Sequence, residues 1–162
     1  LFPPDDAPQR GDTDADADSN AAPPRYASEG AAGLDLAAAL DAPDAPAPGE
    51  RGVVPTGLAL ELPSDHEGQI RPRSGLARRA GLTVLNAPGT IDPDYRGEVQ
   101  VLLVNLGAEP QVVRPGERIA QLVVAPIRRV DVTVAAEDEP LSTTARGAGG
   151  FGSTGVGGDP AA

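Results

Sequence analysis

From Tyr26 onward the chain alternates short apolar runs with turn residues: GLDLAAAL, GVVPTGLALELP, GQIRPR, GLTVLN, GEVQVLLVNL, QVVRPG and RIAQLVVAPI are each bounded by Gly, Pro, Asn or Asp. Runs of this length, built from Val, Leu and Ile, predict β-strands. Their close spacing predicts an all-β sandwich or barrel, because βαβ units would need helical segments between the strands. One short helix is expected at SGLARRA, directly after Arg73. The tetrapeptide PGER occurs at residues 48–51 and again at 115–118, each time ahead of an apolar run. Pro fixes φ and Gly accepts positive φ, so both copies read as tight turns leading into strands.

The pattern stops at both ends. Residues 1–24 are mostly Pro, Asp and Ala around DTDADADSN, which lacks the central Gly and closing Glu of a calcium loop, and they read as a disordered acidic arm. Residues 25–140 are expected to form the β domain, and residues 141–162 a mobile glycine-rich arm. That last segment, with the run RGAGGFGSTGVGGDPAA, carries Phe151, one of only two phenylalanines in 162 residues. Disordered tails usually lack aromatics because they have no core for them, so a receptor for Phe151 is expected outside the tail.

Composition narrows the chemistry. With 2% aromatic residues the core must be aliphatic, and with no Cys there are no disulfides, zinc-thiolate sites or thiol nucleophiles. The net charge of -11 argues against a general nucleic-acid binder. No apolar run approaches the roughly 20 residues that cross a bilayer, and no leader resembles a signal peptide, so a soluble cytoplasmic protein is expected. All 13 basic residues are Arg. Chemistry that needs an amine is thereby excluded, and a phosphate clamp would have to use Arg, backbone N–H groups and a metal.

Three places could carry a reaction. In NAPGTIDPDYRGEV, residues 86–99, Asn, Pro and Gly form the tip of an expected hairpin whose returning strand bears Asp92, Asp94 and Tyr95. Period-two alternation puts the two Asp on one face and Tyr95 on the other, unless Pro93 breaks the strand. One Asp could act as a general base on water, or the segment could be a polar surface hairpin. RPRSGLA places Arg71, Arg73 and Ser74 where a strand gives way to a helix, an arrangement suited either to an anion or to a plain helix cap. Gln121 is a polar residue within an apolar strand, and it could equally lie on a wet sheet face. In the tail, Gly147, Gly149 and Gly152 satisfy GxGxxG, but no βαβ context surrounds them, so a dinucleotide fingerprint is rejected in favour of backbone N–H groups and Arg146 wrapping an anion. His66, the only histidine, is expected in an exposed turn; a transition-metal site is not expected, whereas a hard cation held by oxygens remains open.

Taken in order, these pieces resemble the trimeric dUTP pyrophosphatases (dUTPases). AAGLDLAAA is similar to the family's first motif, RPRSGLA to its second, LNAPGTIDPDYRGEV to its third, GERIAQLVV to its fourth and RGAGGFGSTG to its fifth. The resemblance implies a jelly-roll-like β fold, a homotrimer with sites shared between subunits, and hydrolysis of dUTP to dUMP and pyrophosphate with Mg2+, which supplies dUMP for thymidylate synthesis. It implies Asp92 as the base that deprotonates water, and Tyr95 against the deoxyribose. Asn86, with Gly89, Thr90 and Ile91 of the hairpin, would read the uracil. Arg73, Ser74, Gly75 and Gln121 would hold the phosphates, and Asp35 would orient water around the magnesium or serve the structure alone. In the fifth motif, Arg146 would reach the γ-phosphate, Phe151 would stack on uracil, and Gly152, Ser153 and Thr154 would wrap the phosphate chain. A dCTP deaminase-like enzyme on the same fold and a nucleotide-gated regulatory protein are the alternatives. The acidic arm is longer than the usual lead-in to the first motif.

Overall fold

The computed structural model describes residues 23–136, 139, 141–151 and 153. Residues 1–22 of the acidic arm, with Gly152 and Thr154 of the fifth motif, lie outside the described residues. The chain divides into two compact units, Leu1–Arg128 and Arg129–Ala162.

The first unit is antiparallel β with one short helix, as the apolar runs predict. Its elements are β1 (Arg25–Tyr26), β2 (Leu34–Ala37), β3 (Arg51–Pro55), β4 (His66–Pro72), α1 (Ser74–Ala80), β5 (Leu82–Val84), β6 (Gly89–Ile91), β7 (Gln100–Asn105) and β8 (Arg118–Pro126). One sheet runs β1-β2-β8-β4-β6 and the other β3-β7-β5. Leu36, Ile70, Ile119 and Leu122 of the first sheet and Val54, Val84, Val101 and Leu103 of the second bury their side chains in a single aliphatic cluster. Burying a Leu or Ile of this kind contributes about 1.5–3 kcal/mol. Among the described residues no helix is long and apolar enough to cross a membrane.

The expected hairpin at residues 86–99 is not a ladder. β5 pairs with β7, Leu82 facing Asn105, while β6 pairs with β4, Gly89 facing Ile70. The NAPG segment, with a cis Ala87–Pro88 bond, therefore carries the chain from one sheet to the other. QVVRPG likewise forms no strand: only a bridge between Asp44 and Val113 survives. Pro110 and Pro115 flank it, and proline has no N–H to give a ladder.

Two buried polar side chains hold loops onto the sheets. Asn105, fully buried, donates from Nδ2 to the carbonyls of Pro46 and Glu109, both at 2.9 Å, and accepts from Gly107 N–H at 2.8 Å. Thr56 Oγ1 donates to Val99 O at 2.5 Å. α1 ends at Gly81, whose φ of 67° is the left-handed cap that glycine adopts without penalty. A Cβ at that position would run into the backbone of Gly107.

In the second unit, Val130, Val132 and Val134 alternate along an extended exposed segment, and the chain then closes into tight turns. Gly147 N–H donates to Thr144 O at 3.1 Å, Gly149 N–H to Arg146 O at 3.1 Å and Ser153 N–H to Gly150 O at 3.0 Å.

Candidate functional site

The first constellation gathers on neighbouring strands of the larger sheet. Asp35 on β2 faces Gln121 on β8, and Gln121 in turn faces Arg71 on β4. Beyond Pro72, where β4 ends, Arg73 precedes α1 with its backbone extended (φ -87°, ψ 120°). Its side chain turns back over the sheet. Arg73 Nε lies 3.2 Å from Asp35 Oδ1, and Arg73 Nη1 donates to Arg118 O at 3.0 Å. Gln121 Nε2 donates to the same Oδ1 at 3.2 Å, and Arg118 Nη1 to Oδ2 at 2.8 Å. Asp35 is thus buried, with 7% of its side chain exposed, and both of its oxygens are taken by guanidinium or amide N–H groups.

A bulge makes this gathering possible. In a regular strand Arg118 and Gln121, three residues apart, would point to opposite faces. Here Leu36 faces Ala120 and Ala37 faces Arg118, so Ile119 is an extra residue in β8. Ile119 and Ala120 are both buried in succession, and Arg118 is turned to the face that Gln121 occupies. Arg118 was absent from the residues picked out by sequence; it reads there only as the polar start of an apolar strand. Asp35 and Arg118 also line a cavity of about 500 Å³, together with Arg25 and Tyr26.

Ser74 and Gly75 begin α1, Ser74 exposed and Gly75 half-buried against the Arg79 guanidinium. The helix carries Arg78 and Arg79 in its last turn, where they complement its dipole.

The second constellation follows the crossing between sheets. Asn86 is exposed, and its Nδ2 lies 3.1 Å from where a Cβ on buried Gly89 would sit, so the amide rests on that backbone. Gly89, Thr90 and Ile91 form β6. The sheet ends there. Asp92 opens a turn in which Tyr95 N–H donates to Asp92 O at 3.1 Å, so period-two alternation does not govern Asp92, Asp94 and Tyr95, and Pro93 interrupts the strand. Arg96 Nη1 ties the turn down, donating to Pro93 O at 2.7 Å and Tyr95 O at 2.9 Å. Tyr95 Oη donates to Glu98 O at 3.1 Å, with its ring against Gly97. The Asp92 carboxylate is exposed and makes no hydrogen bond or ion pair among the described residues.

The two constellations do not meet in one chain. Ile91 faces Gly68 near the start of β4, whereas Arg73 follows the end of that strand. At ~3.3 Å per residue the interval from Gly68 to Arg73 is on the order of 16 Å, and Asp92 continues away from it. Among the described residues, Asp65 has a carboxyl held below its ordinary range, and it belongs to neither group. A hydrogen bond with His66 is the main cause that holds it below its ordinary range, helped by its own backbone and by the His66 charge, against a small opposing effect of burial.

In the second unit Arg146 Nε donates to Gly149 O at 2.7 Å. Phe151 is fully exposed and holds a left-handed φ of 48°, unusual for a bulky residue. Ser153 is exposed beside it.

Comparison with known proteins agrees with the motif order. A family model described as dUTPase matches residues 19–155. The deoxyuridine 5'-triphosphate nucleotidohydrolase of Methylocella silvestris is 64% identical over 136 residues, covering 82% of each chain, and that of Rhizobium meliloti 61% identical over 135 residues, again with 82% of each covered. Among solved structures, the dUTPase of Staphylococcus bacteriophage 80alpha with dUPNHPP superposes with a TM-score of 0.72 at 27% identity, covering 85% of this chain and 94% of that one. On the strength of the matched family model and these relatives, the chain belongs to the dUTPase family.

Proposed function

We propose that this chain is a dUTP diphosphatase that converts dUTP to dUMP and pyrophosphate, lowers dUTP, and supplies dUMP for thymidylate synthesis. The observation that carries the reading is the placement of Arg73 and Gln121 on one ordered carboxylate, Asp35, beside the start of α1. This arrangement gives a triphosphate fixed donors in a lysine-free protein.

Asp92 removes a proton from water as the water oxygen bonds to the α-phosphorus; the bond from that phosphorus to the bridging oxygen breaks, and pyrophosphate leaves. Its exposed, unpaired carboxylate is available for that proton. Arg73, Ser74, Gly75 and Gln121 hold the phosphates and spread the charge that the transition state develops. Tyr95, its ring fixed by Glu98 O and Gly97, presents a flat wall to the deoxyribose and leaves no room for a 2′-hydroxyl. Asn86 and the backbone of Gly89, Thr90 and Ile91 read the uracil edge.

The residues fit a magnesium ion carried by the substrate's own phosphates. Among the described residues no group of three or more His, Asp or Glu could hold a metal. Asp35, with both oxygens already accepting N–H donors, would touch the ion only through an intervening water. When bound, magnesium neutralises phosphate charge.

The gap between Asp92 and Arg73 favours a site shared between copies of the chain, and membership of the dUTPase family implies a homotrimer, in which one subunit would supply the uracil and base segment and another the phosphate cluster. The tail then completes the site: Arg146 at the γ-phosphate, Phe151 on the uracil, and Gly152, Ser153 and Thr154 around the phosphates. A panel of dUTP, UTP, dTTP and dCTP, with and without magnesium, scored for pyrophosphate and ammonia release, tests the reading. Magnesium-dependent pyrophosphate release from dUTP far above the others is expected. Ammonia from dCTP would instead place the chain with the deaminases of this fold.

A further inference from the structure

Asp35 is a single buried carboxylate between two guanidiniums. One arginine would suffice to balance it, since a buried charge needs a hydrogen-bonded partner of opposite sign. The second leaves the trio with a net charge of about +1. The two arginines are not equivalent. Arg118 makes the shorter bond, 2.8 Å to Oδ2, while Arg73 Nε stands 3.2 Å from Oδ1. Arg118 also fixes Arg73 a second time, because its backbone carbonyl accepts from Arg73 Nη1 at 3.0 Å. A guanidinium has five N–H donors; Arg73 gives one, on Nη1, to Arg118 O and meets Asp35 through Nε as an ion pair, which leaves both Nη2 N–H groups and the second on Nη1 for a ligand.

We propose that Arg118 is a positioning residue for the phosphate site: it takes up the Asp35 charge, so that Arg73 remains an oriented, uncompensated cation for the triphosphate. This rests on the reading of Arg73 as a phosphate ligand. Without Arg118, Asp35 and Arg73 would form a neutral pair turned on itself, and the bulge at Ile119 that aims Arg118 at Asp35 would have no electrostatic purpose.

The test is a charge-balance cycle on the full-length protein, following KM and kcat for dUTP, the salt dependence of KM, and thermal stability. Arg118→Ala is expected to raise KM on the order of tenfold with a smaller change in kcat. Arg118→Lys should recover part of that loss, because the charge returns without the fork. Adding Asp35→Asn to Arg118→Ala should lower KM again at saturating magnesium, since removing the carboxylate frees Arg73, while any loss of its water contact to the ion is read separately in kcat and in the magnesium dependence. A double variant no better than Arg118→Ala, in protein whose melting temperature matches, would overturn the proposal and indicate that Arg118 touches phosphate directly or serves stability alone. Arg73→Ala is measured alongside: an unchanged KM there would refute the phosphate reading of Arg73 itself, whatever Arg118 does.

Discussion

Gly97→Ala isolates the wall that Tyr95 is proposed to present to the sugar. A Cβ at residue 97 would lie 2.6 Å from Tyr95 Cζ and 3.0 Å from Cε2. Gly97 is not among the positive-φ residues, so the alanine backbone itself is tolerated and the whole effect falls on the ring. To restore ordinary carbon contacts of about 3.5 Å, the ring must retreat by roughly an ångström. That movement also breaks the bond from Tyr95 Oη to Glu98 O, a neutral, exposed interaction worth about 0.5–1.5 kcal/mol. Stability should therefore fall by no more than about that amount. Activity should suffer more, because a displacement of about 1 Å at a positioning group can lower a rate on the order of 100-fold. The assay is pyrophosphate release from dUTP and from UTP, with thermal melts on the same preparations. The expected result is a large loss of kcat/KM on dUTP, a smaller one on UTP, and hence a reduced preference for the deoxyribose. A variant that melts normally and keeps the wild-type ratio of dUTP to UTP turnover would refute the reasoning.

Other consequences follow from single residues. Leu103→Ala should cost about 2–5 kcal/mol in denaturant unfolding, because Leu103 is fully enclosed between the sheets. Gly81→Ala combines a left-handed φ with a collision against Gly107 and should destabilise the protein by at least about 1 kcal/mol, measured the same way. Tyr95→Ala should raise turnover of UTP relative to dUTP. A chain lacking residues 146–162 should melt near the wild-type temperature and lose most of its turnover; full activity without them would remove the tail from the mechanism.

The strands were legible because their residues are: Val, Leu and Ile in runs bounded by Gly and Pro admit few other structures. Pairing was not. The turn residues of NAPG announce a reversal but not which ladder receives the returning chain, and β5 and β6 find partners far away in sequence, at Asn105 and Ile70. The same limit hid one member of the cluster around Asp35. Arg73, Ser74 and Gln121 stood out as polar residues in apolar surroundings, whereas Arg118 gained its position from a bulge, which depends on how β8 meets β2. Two buried residues in succession, Ile119 and Ala120, are the trace that such a bulge leaves in a sequence, and IAQ alone could not separate it from an ordinary strand. Asp92 was singled out as a candidate base by resemblance, and its exposed place in a turn, away from Arg73, accords with the proposal that a second copy of the chain completes the site.

The claim that one subunit's Asp92 works with another's Arg73 is tested most directly by complementation. Asp92→Asn and Arg73→Ala variants would be produced separately and also co-expressed so that mixed oligomers assemble, and each preparation assayed for pyrophosphate release from dUTP. Each variant alone should be nearly inactive. The mixed oligomers should recover on the order of a quarter of wild-type turnover, because random pairing at a repeated subunit interface joins an intact Asp92 to an intact Arg73 about one time in four. Mixed oligomers no more active than the separate variants would contradict the shared site.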